Sequence, residues 1–195
     1  TSAGSVTQAT HRQLTMTIKT QTQESPPAVR VTLAQGLIGP ERFEWVLQKA
    51  TELGVAQIIP MVTMRSTVRR PEAIGTPRLI RWRRILEAAA TQCGRATLPL
   101  LADPCRFDDA LKLVAGRYTL LLTLTEHGPP LREHVAALRN ASESLLLIGP
   151  EGDFSPQEVA HAKQQGAKTA SLGRLTLRAE TAAIAALAIL QHALE

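Results

Sequence analysis

YTLLLTL (118–124) and SLLLIG (144–149) are apolar at successive positions rather than at alternate ones. A strand with one wetted face alternates, so a continuously apolar strand is covered on both faces, as in parallel sheets. AQIIPMV (56–62) has the same character, and VRVTLAQ (29–35) opens a further strand. Helix-period segments lie between them. From Pro40, the residues Phe43, Val46, Leu47, Ala50 and Leu53 recur at helical spacing and Gly54 ends the run. Leu79, Ile85, Leu86, Ala89 and Ala90 share one side of a helix over about 78–92, and shorter helices are expected from Phe107 to about Val114 and over LREHVAALR (131–139). SPQEVAHAKQQG carries Ser155 as N-cap, Pro156 at the first helical position and Glu158 completing a capping box. LPLL and TASLG are short strands, and a long Ala-rich helix closes the chain from Ala179. Strands alternating with helices define an α/β fold, a parallel sheet covered on both faces.

Residues 1–27 are rich in Thr, Ser and Gln, with one alternating piece, LTMTIKT, that suits a half-buried strand. Ser25-Pro26-Pro27 breaks the chain, dividing it into 1–27 and 28–195. A length of 195 residues suits one α/β domain with a small appendage. Because the chain opens on Thr1 and not on methionine, a natural N-terminal segment is expected to be missing.

Composition narrows the function. A net charge of +5 permits a polyanionic partner, but aromatics at 3% argue against rows of stacking platforms for bases. Backbone amides and arginines would have to contact any nucleic acid. Cys93 and Cys105 form no CxxC and the five histidines are scattered singly, so no metal site is expected. No apolar run approaches the roughly 18 residues of a membrane span. The expectation is a soluble, cytoplasmic protein.

In parallel sheets, ligands bind beyond the C-terminal ends of the strands. Three loops qualify: TLTEHGPP (123–130), IGPEGDFS (148–155) and LGRLTLRAET (172–181). IGPE occurs twice, at 38–41 and 148–151. The first copy reads as a strand-to-helix connection. The second reads either as a turn or as a ligand loop in which Gly152 lets the backbone approach closely. Arg178 and Glu180 flank the start of an otherwise apolar helix, where Glu180 serves either the helix dipole or chemistry. Arg65, Arg69, Arg70, Arg78, Arg81, Arg83 and Arg84 place seven arginines in twenty positions. They are either solvated surface or a phosphate-binding face.

FEWVLQKATELGVAQIIPM, EAAATQCGR followed by Pro99, LLLIGPEGDFS and LGRLTLRAETAAIAAL, in this order, resemble the RsmE family, the 16S ribosomal RNA uridine N3-methyltransferases of the SPOUT superfamily. The resemblance runs from about Val29 to the C-terminus. It implies a C-terminal deep trefoil knot, a homodimer formed through this domain, and S-adenosylmethionine bound by the knot loops. Those loops match Thr123, Leu124, Thr125 and Glu126 through His127; Ile148, Gly149, Pro150, Glu151 and Gly152; and Leu172 to Leu177 with Gly173 and Leu175. Adenine is then expected against Leu172, Leu175 and Leu177.

Members of the family also carry an N-terminal PUA-like RNA-binding β-barrel, of which residues 1–27 can hold only a remnant. Asp153 stands where the family usually has a second glycine, and Leu175 where many members have arginine. The implied substrate is 16S rRNA in the small ribosomal subunit, contacted by Arg65, Arg69, Arg70, Gln92 and Arg95. Uridine N3 carries a proton, so Arg178 is assigned to charge developing on a uracil oxygen. Glu180 either orients Arg178 or accepts the proton. Orientation is favoured, because a carboxylate beside a guanidinium is a weaker base. The alternatives are a SPOUT methyltransferase of another RNA base, a non-catalytic RNA-binding relative, and a small-molecule α/β enzyme using Glu151 and the loop amides on an anionic substrate.

Overall fold

The computed structural model describes residues 2–9, 14–21, 29–113, 115–123 and 128–194. Its elements in chain order are β1 (Ser2–Ala9), β2 (Leu14–Gln21), β3 (Arg30–Gly36), α1 (Pro40–Glu52), β4 (Gln57–Val62), α2 (Thr76–Cys93), β5 (Leu100–Leu101), β6 (Cys105–Arg106), α3 (Phe107–Leu111), β7 (Tyr118–Leu122), α4 (Val135–Arg139), β8 (Glu143–Ile148), α5 (Pro156–Gln164), β9 (Lys168–Ala170) and α6 (Ala179–Leu194). β1 and β2 form an antiparallel pair. The other strands form a parallel sheet in the order β5, β4, β3, β8, β7, β9, with β6 pairing alongside the end of β4.

The two parities of each central strand bury into different cores, which is why the strands read as unbroken apolar runs. Leu146 and Ile148 of β8 join Leu33, Leu120 and the faces of α1, α2 and α6. Leu145 and Leu147 join Ala34, Leu121, Phe154, Val159 and α3 on the other face. Among the described residues no helix is long and apolar enough to cross a membrane.

Local signals set most boundaries. Pro40 starts α1, and Gly54 follows it at φ 80°, a conformation that favours glycine. Gly94 caps α2 in the left-handed region. The Ser155 and Glu158 capping box at α5 forms as expected.

Other details differ from the sequence reading. The buried side of α2 is Trp82, Leu86, Ala89 and Ala90. Leu79 and Ile85 are only partly buried, because Trp82 fills the contact with α1 by packing on Phe43, ring centroids 4.6 Å apart. The helix expected to reach Val114 ends at Leu111, where i to i+3 bonds from Lys112 and Leu113 tighten the last turn; Val114 lies outside the described residues. LREHVAALR is a 3-10 turn, Leu131–His134, that leads into α4.

Candidate functional site

At the C-terminal ends of β7, β8 and β9 the loops surround a cavity of about 620 Å³. Leu122 and Thr123 contribute the β7 wall, Ile148 to Glu151 and Asp153 the β8 wall, and the segment from Ala170 to Ala179 the third. Leu122, Ile148, Pro150, Leu172, Leu175 and Leu177 are the larger apolar residues of the wall. Leu175 is 82% exposed, a large apolar surface offered to whatever enters.

Adjacent chain holds these loops in place. Gly36, at the end of β3, lies directly under the β8 loop: a Cβ there would stand 2.6 Å from the Pro150 nitrogen and 2.8 Å from the Gly149 carbonyl carbon. Gln35 donates its amide to the Gly36 carbonyl at 3.0 Å and the Gly149 carbonyl at 3.4 Å. The first IGPE copy takes part as well. Glu151 of the second copy accepts the Gly39 N–H at 3.2 Å and pairs with Arg42 at 2.9 Å. The first copy is therefore more than a strand-to-helix connection, since it anchors the loop that lines the cavity. On the β7 side, Gly128 crosses β9 so tightly that a Cβ would meet the Thr169 carbonyl carbon at 2.5 Å.

The structure brings together most of the expected residues. Thr123, Ile148, Gly149, Pro150, Glu151, Leu172, Gly173, Leu175, Leu177 and Arg178 all line the cavity. Leu124, Thr125 and Glu126 lie outside the described residues. Gly152 is absent from the wall; a Cβ on it would stand 3.1 Å from the Arg65 Cβ, and its carbonyl accepts the Arg65 Nη1 at 2.8 Å. The missing side chain makes room for an arginine. Arg178 is exposed and Glu180 is buried. No ion pair joins them among the described residues, and Glu180 Oε2 has no hydrogen-bond partner. Glu180 lies on the α6 stripe of Ala183, Leu187 and Leu190 that faces the core.

The arginine segment after β4 packs against this site. Arg65 is held by Gly152, and Arg69 donates to the Met64 carbonyl at 2.9 Å. Arg70 and Gln92 are exposed. Arg81 makes a bidentate pair with Glu44, which lowers the Glu44 pKa. Arg95 is half-buried, donating to the carbonyls of Thr51 at 2.8 Å and Val55 at 3.0 Å. Burial lowers its pKa.

Sequence reasoning missed Gly36, Gln35 and Arg42 as parts of the site; Asp153, named there as a departure from the family pattern, lines the cavity. A glycine ending an apolar strand was the available signal for Gly36, as a mark of close backbone approach.

A parallel α/β sheet whose strand-end loops enclose a cavity of this size defines a domain built to hold a small ligand. Residues 24–191 match the RNA methyltransferase domain family, and the chain belongs to that family. It is 35% identical over 180 residues to the ribosomal RNA small subunit methyltransferase E of Synechocystis, covering 91% of this chain and 58% of that protein. The Bacillus subtilis protein of the same name is 30% identical over 172 residues, 86% of this chain and 67% of that one. The chain thus spans between half and about two thirds of the length of these relatives. The crystal structure of ribosomal RNA small subunit methyltransferase E from Neisseria gonorrhoeae bound to S-adenosyl methionine superposes with a TM-score of 0.82. Its identity is 29%, with 97% of this chain and 77% of that one covered.

Proposed function

We propose that the chain methylates N3 of a uridine in the 16S rRNA of the small ribosomal subunit, using S-adenosylmethionine. The observation that carries this reading is the cavity: three strand-end loops, with Leu172, Leu175 and Leu177 together in the third, suit a nucleoside cofactor. Leu172, Leu175 and Leu177 would cover the adenine, with loop amides and carbonyls reading its edge. Thr123 and Ile148 to Glu151 would hold the remainder; Leu124, Thr125 and Glu126 are assigned there on sequence alone.

When bound, S-adenosylmethionine supplies an electrophilic methyl group. The chain's own task is to align the uridine and exclude water. Uridine N3 is protonated at neutral pH, so negative charge develops on the uracil oxygens as that proton passes to bulk water. Arg178, on the cavity wall, is suited to stabilise that charge. Glu180, on the buried stripe behind it, is a positioning residue for the first turn of α6, where a carboxylate also suits the helix dipole.

Arg65, held to the β8 loop by the Gly152 carbonyl, and the exposed Arg69 and Arg70 are the main RNA-contact residues, with Gln92 on the exposed end of α2. Arg95 contributes from beneath that end by fixing its approach. The same reading includes a deep trefoil knot, consistent with the close crossing of Gly128 over β9, a homodimer formed through this domain, a PUA-like remnant at 1–27, and a cytoplasmic location.

The test is transfer of labelled methyl groups to small ribosomal subunits lacking the modification, followed by nucleoside mass spectrometry. The expected product is 3-methyluridine in 16S rRNA. Label in any other nucleoside overturns the assignment.

A further inference from the structure

Thr63, Met64, Arg65 and Ser66 form a tight turn directly after β4. The Ser66 N–H donates to the Thr63 carbonyl at 3.2 Å, the Thr63 N–H donates to Ser66 Oγ at 3.0 Å, and the two hydroxyl oxygens lie 3.1 Å apart. Thr63 and Ser66 are buried, so the turn is rooted in the protein and Met64 and Arg65 stand out at its tip. Met64 is 59% exposed. A single exposed apolar side chain is ordinary on a protein surface. This one differs in how firmly its backbone is held: its N–H donates to Glu158 Oε1 at 2.8 Å, and its carbonyl accepts Arg69 Nη1 at 2.9 Å. Neither bond involves the methionine side chain, which is presented to solvent on a fixed support.

The tip stands at the rim of the cavity. Arg65, the next residue, donates to the Gly152 carbonyl at 2.8 Å, and its own carbonyl would lie 3.6 Å from a Cβ on Gly152. Gly152 is flanked by Glu151 and Asp153, which both line the cavity. Arg65, Arg69 and Arg70 are exposed, and none of them is paired with a carboxylate among the described residues. An apolar tip among unpaired guanidinium groups matches a nucleic acid, whose phosphates take the charge and whose base faces take the apolar group.

N3 lies on the pairing edge of uridine, so a base methylated there has to leave its pair and its stack. Its departure opens a gap beside the neighbouring base, and side chains such as methionine fill gaps of that kind. We propose that Met64 packs on the base adjoining the target uridine, filling the gap and keeping the uridine extruded at the cavity rim. The proposal rests on the functional reading above. Met64 then favours the reactive arrangement of the RNA without touching the reacting atoms.

The test is methyl transfer to small ribosomal subunits by the unaltered chain, Met64→Ala and Met64→Leu, with S-adenosylmethionine affinity followed by calorimetry. Because the local hydrogen bonds are made by the Met64 backbone, neither substitution disturbs the turn. Met64→Ala is expected to lower kcat/KM about tenfold, the scale set by the apolar area removed, while cofactor affinity and the thermal midpoint stay unchanged. Met64→Leu restores most of the rate. The salt dependence of RNA binding is the same in all three proteins, because no phosphate contact is lost. A synthetic 16S rRNA fragment made abasic on one side or the other of the modified uridine locates the contact: on the side that Met64 fills, the unaltered chain loses its advantage over Met64→Ala. Equal kcat/KM for Met64→Ala and the unaltered chain overturns the proposal, as does an advantage that survives both abasic sites. If the unaltered chain transfers no methyl group, the functional reading itself fails and the proposal falls with it, before any substitution is compared.

Discussion

The Glu158 carboxylate accepts the backbone N–H of Met64 at 2.8 Å, from 94 positions away in the chain, while its other oxygen accepts the Ser155 N–H at 2.8 Å. A helix-capping residue thereby also fastens the arginine segment after β4 to the loop that lines the cavity. Arg65, through the Gly152 carbonyl, is a second fastening of the same two segments. The arginine segment and the cavity loop are therefore joined at two points.

Glu158→Ala removes the cap and the tether together. Its expected cost is about 2–3 kcal/mol of stability, from one lost cap and one lost charge-assisted bond in a buried setting. Glu158→Gln recovers only part, because one amide oxygen replaces two acceptors. Urea unfolding of the three proteins checks the order.

Gly36→Ala places a methyl group against backbone, not against a movable side chain. The β8 loop has to shift, at a cost of about 1–3 kcal/mol, and cofactor affinity falls with it. Gly75→Ala is the control, since the nearest atom to its Cβ is Pro77 Cδ at an ordinary 3.6 Å. Calorimetry with S-adenosylmethionine alongside thermal melts separates the loop effect from general destabilisation.

What was legible in the sequence was what short-range chemistry dictates. Ser155 and Glu158 sit three residues apart, so the capping box could be read directly. The apolar strands were legible because both faces of each are buried. By contrast, Gly152 was read as a glycine making way for a ligand, and it makes way for Arg65, 87 positions distant. The duplicated IGPE hid a direct contact, Gly39 N–H to Glu151, between its two copies. Helical spacing passes over Trp82 in the α2 core because its partner Phe43 is on another helix. β6, two residues long, is too short to carry a periodic pattern. Each miss depends on which segments the sheet order brings together, and residue spacing does not encode that.

Arg70 and Arg95 were both expected to contact RNA, and their surroundings now separate them. Arg70→Ala removes an exposed charge, so RNA binding weakens and the slope of log affinity against log salt falls by about 0.7–0.9. Arg95→Ala instead removes the donor to Thr51 and Val55. It costs about 1–3 kcal/mol of stability and leaves the salt slope largely intact. Fluorescence anisotropy with a 16S rRNA fragment over a salt series, paired with urea melts, tests both expectations.

His134 makes stability depend on pH. It is buried, and its Nδ1 lies 3.0 Å from the Tyr118 hydroxyl. Lys168 sits 4.6 Å from the Tyr118 ring centroid and donates to the same hydroxyl at 3.4 Å. Burial lowers the His134 pKa below 6.5; a backbone hydrogen bond with Thr169 opposes the shift, repulsion from Lys168 adds to it, and the neighbouring Glu133 opposes it more weakly. The unfolded chain therefore takes up the proton more readily than the folded one. The stability contribution is complete above about pH 6.5 and is lost as pH falls through the folded value. Urea midpoints measured from pH 8 down to pH 5 should decline, and His134→Gln should flatten the part of that decline that begins near pH 6.5. An identical decline in the variant would assign acid sensitivity to other groups.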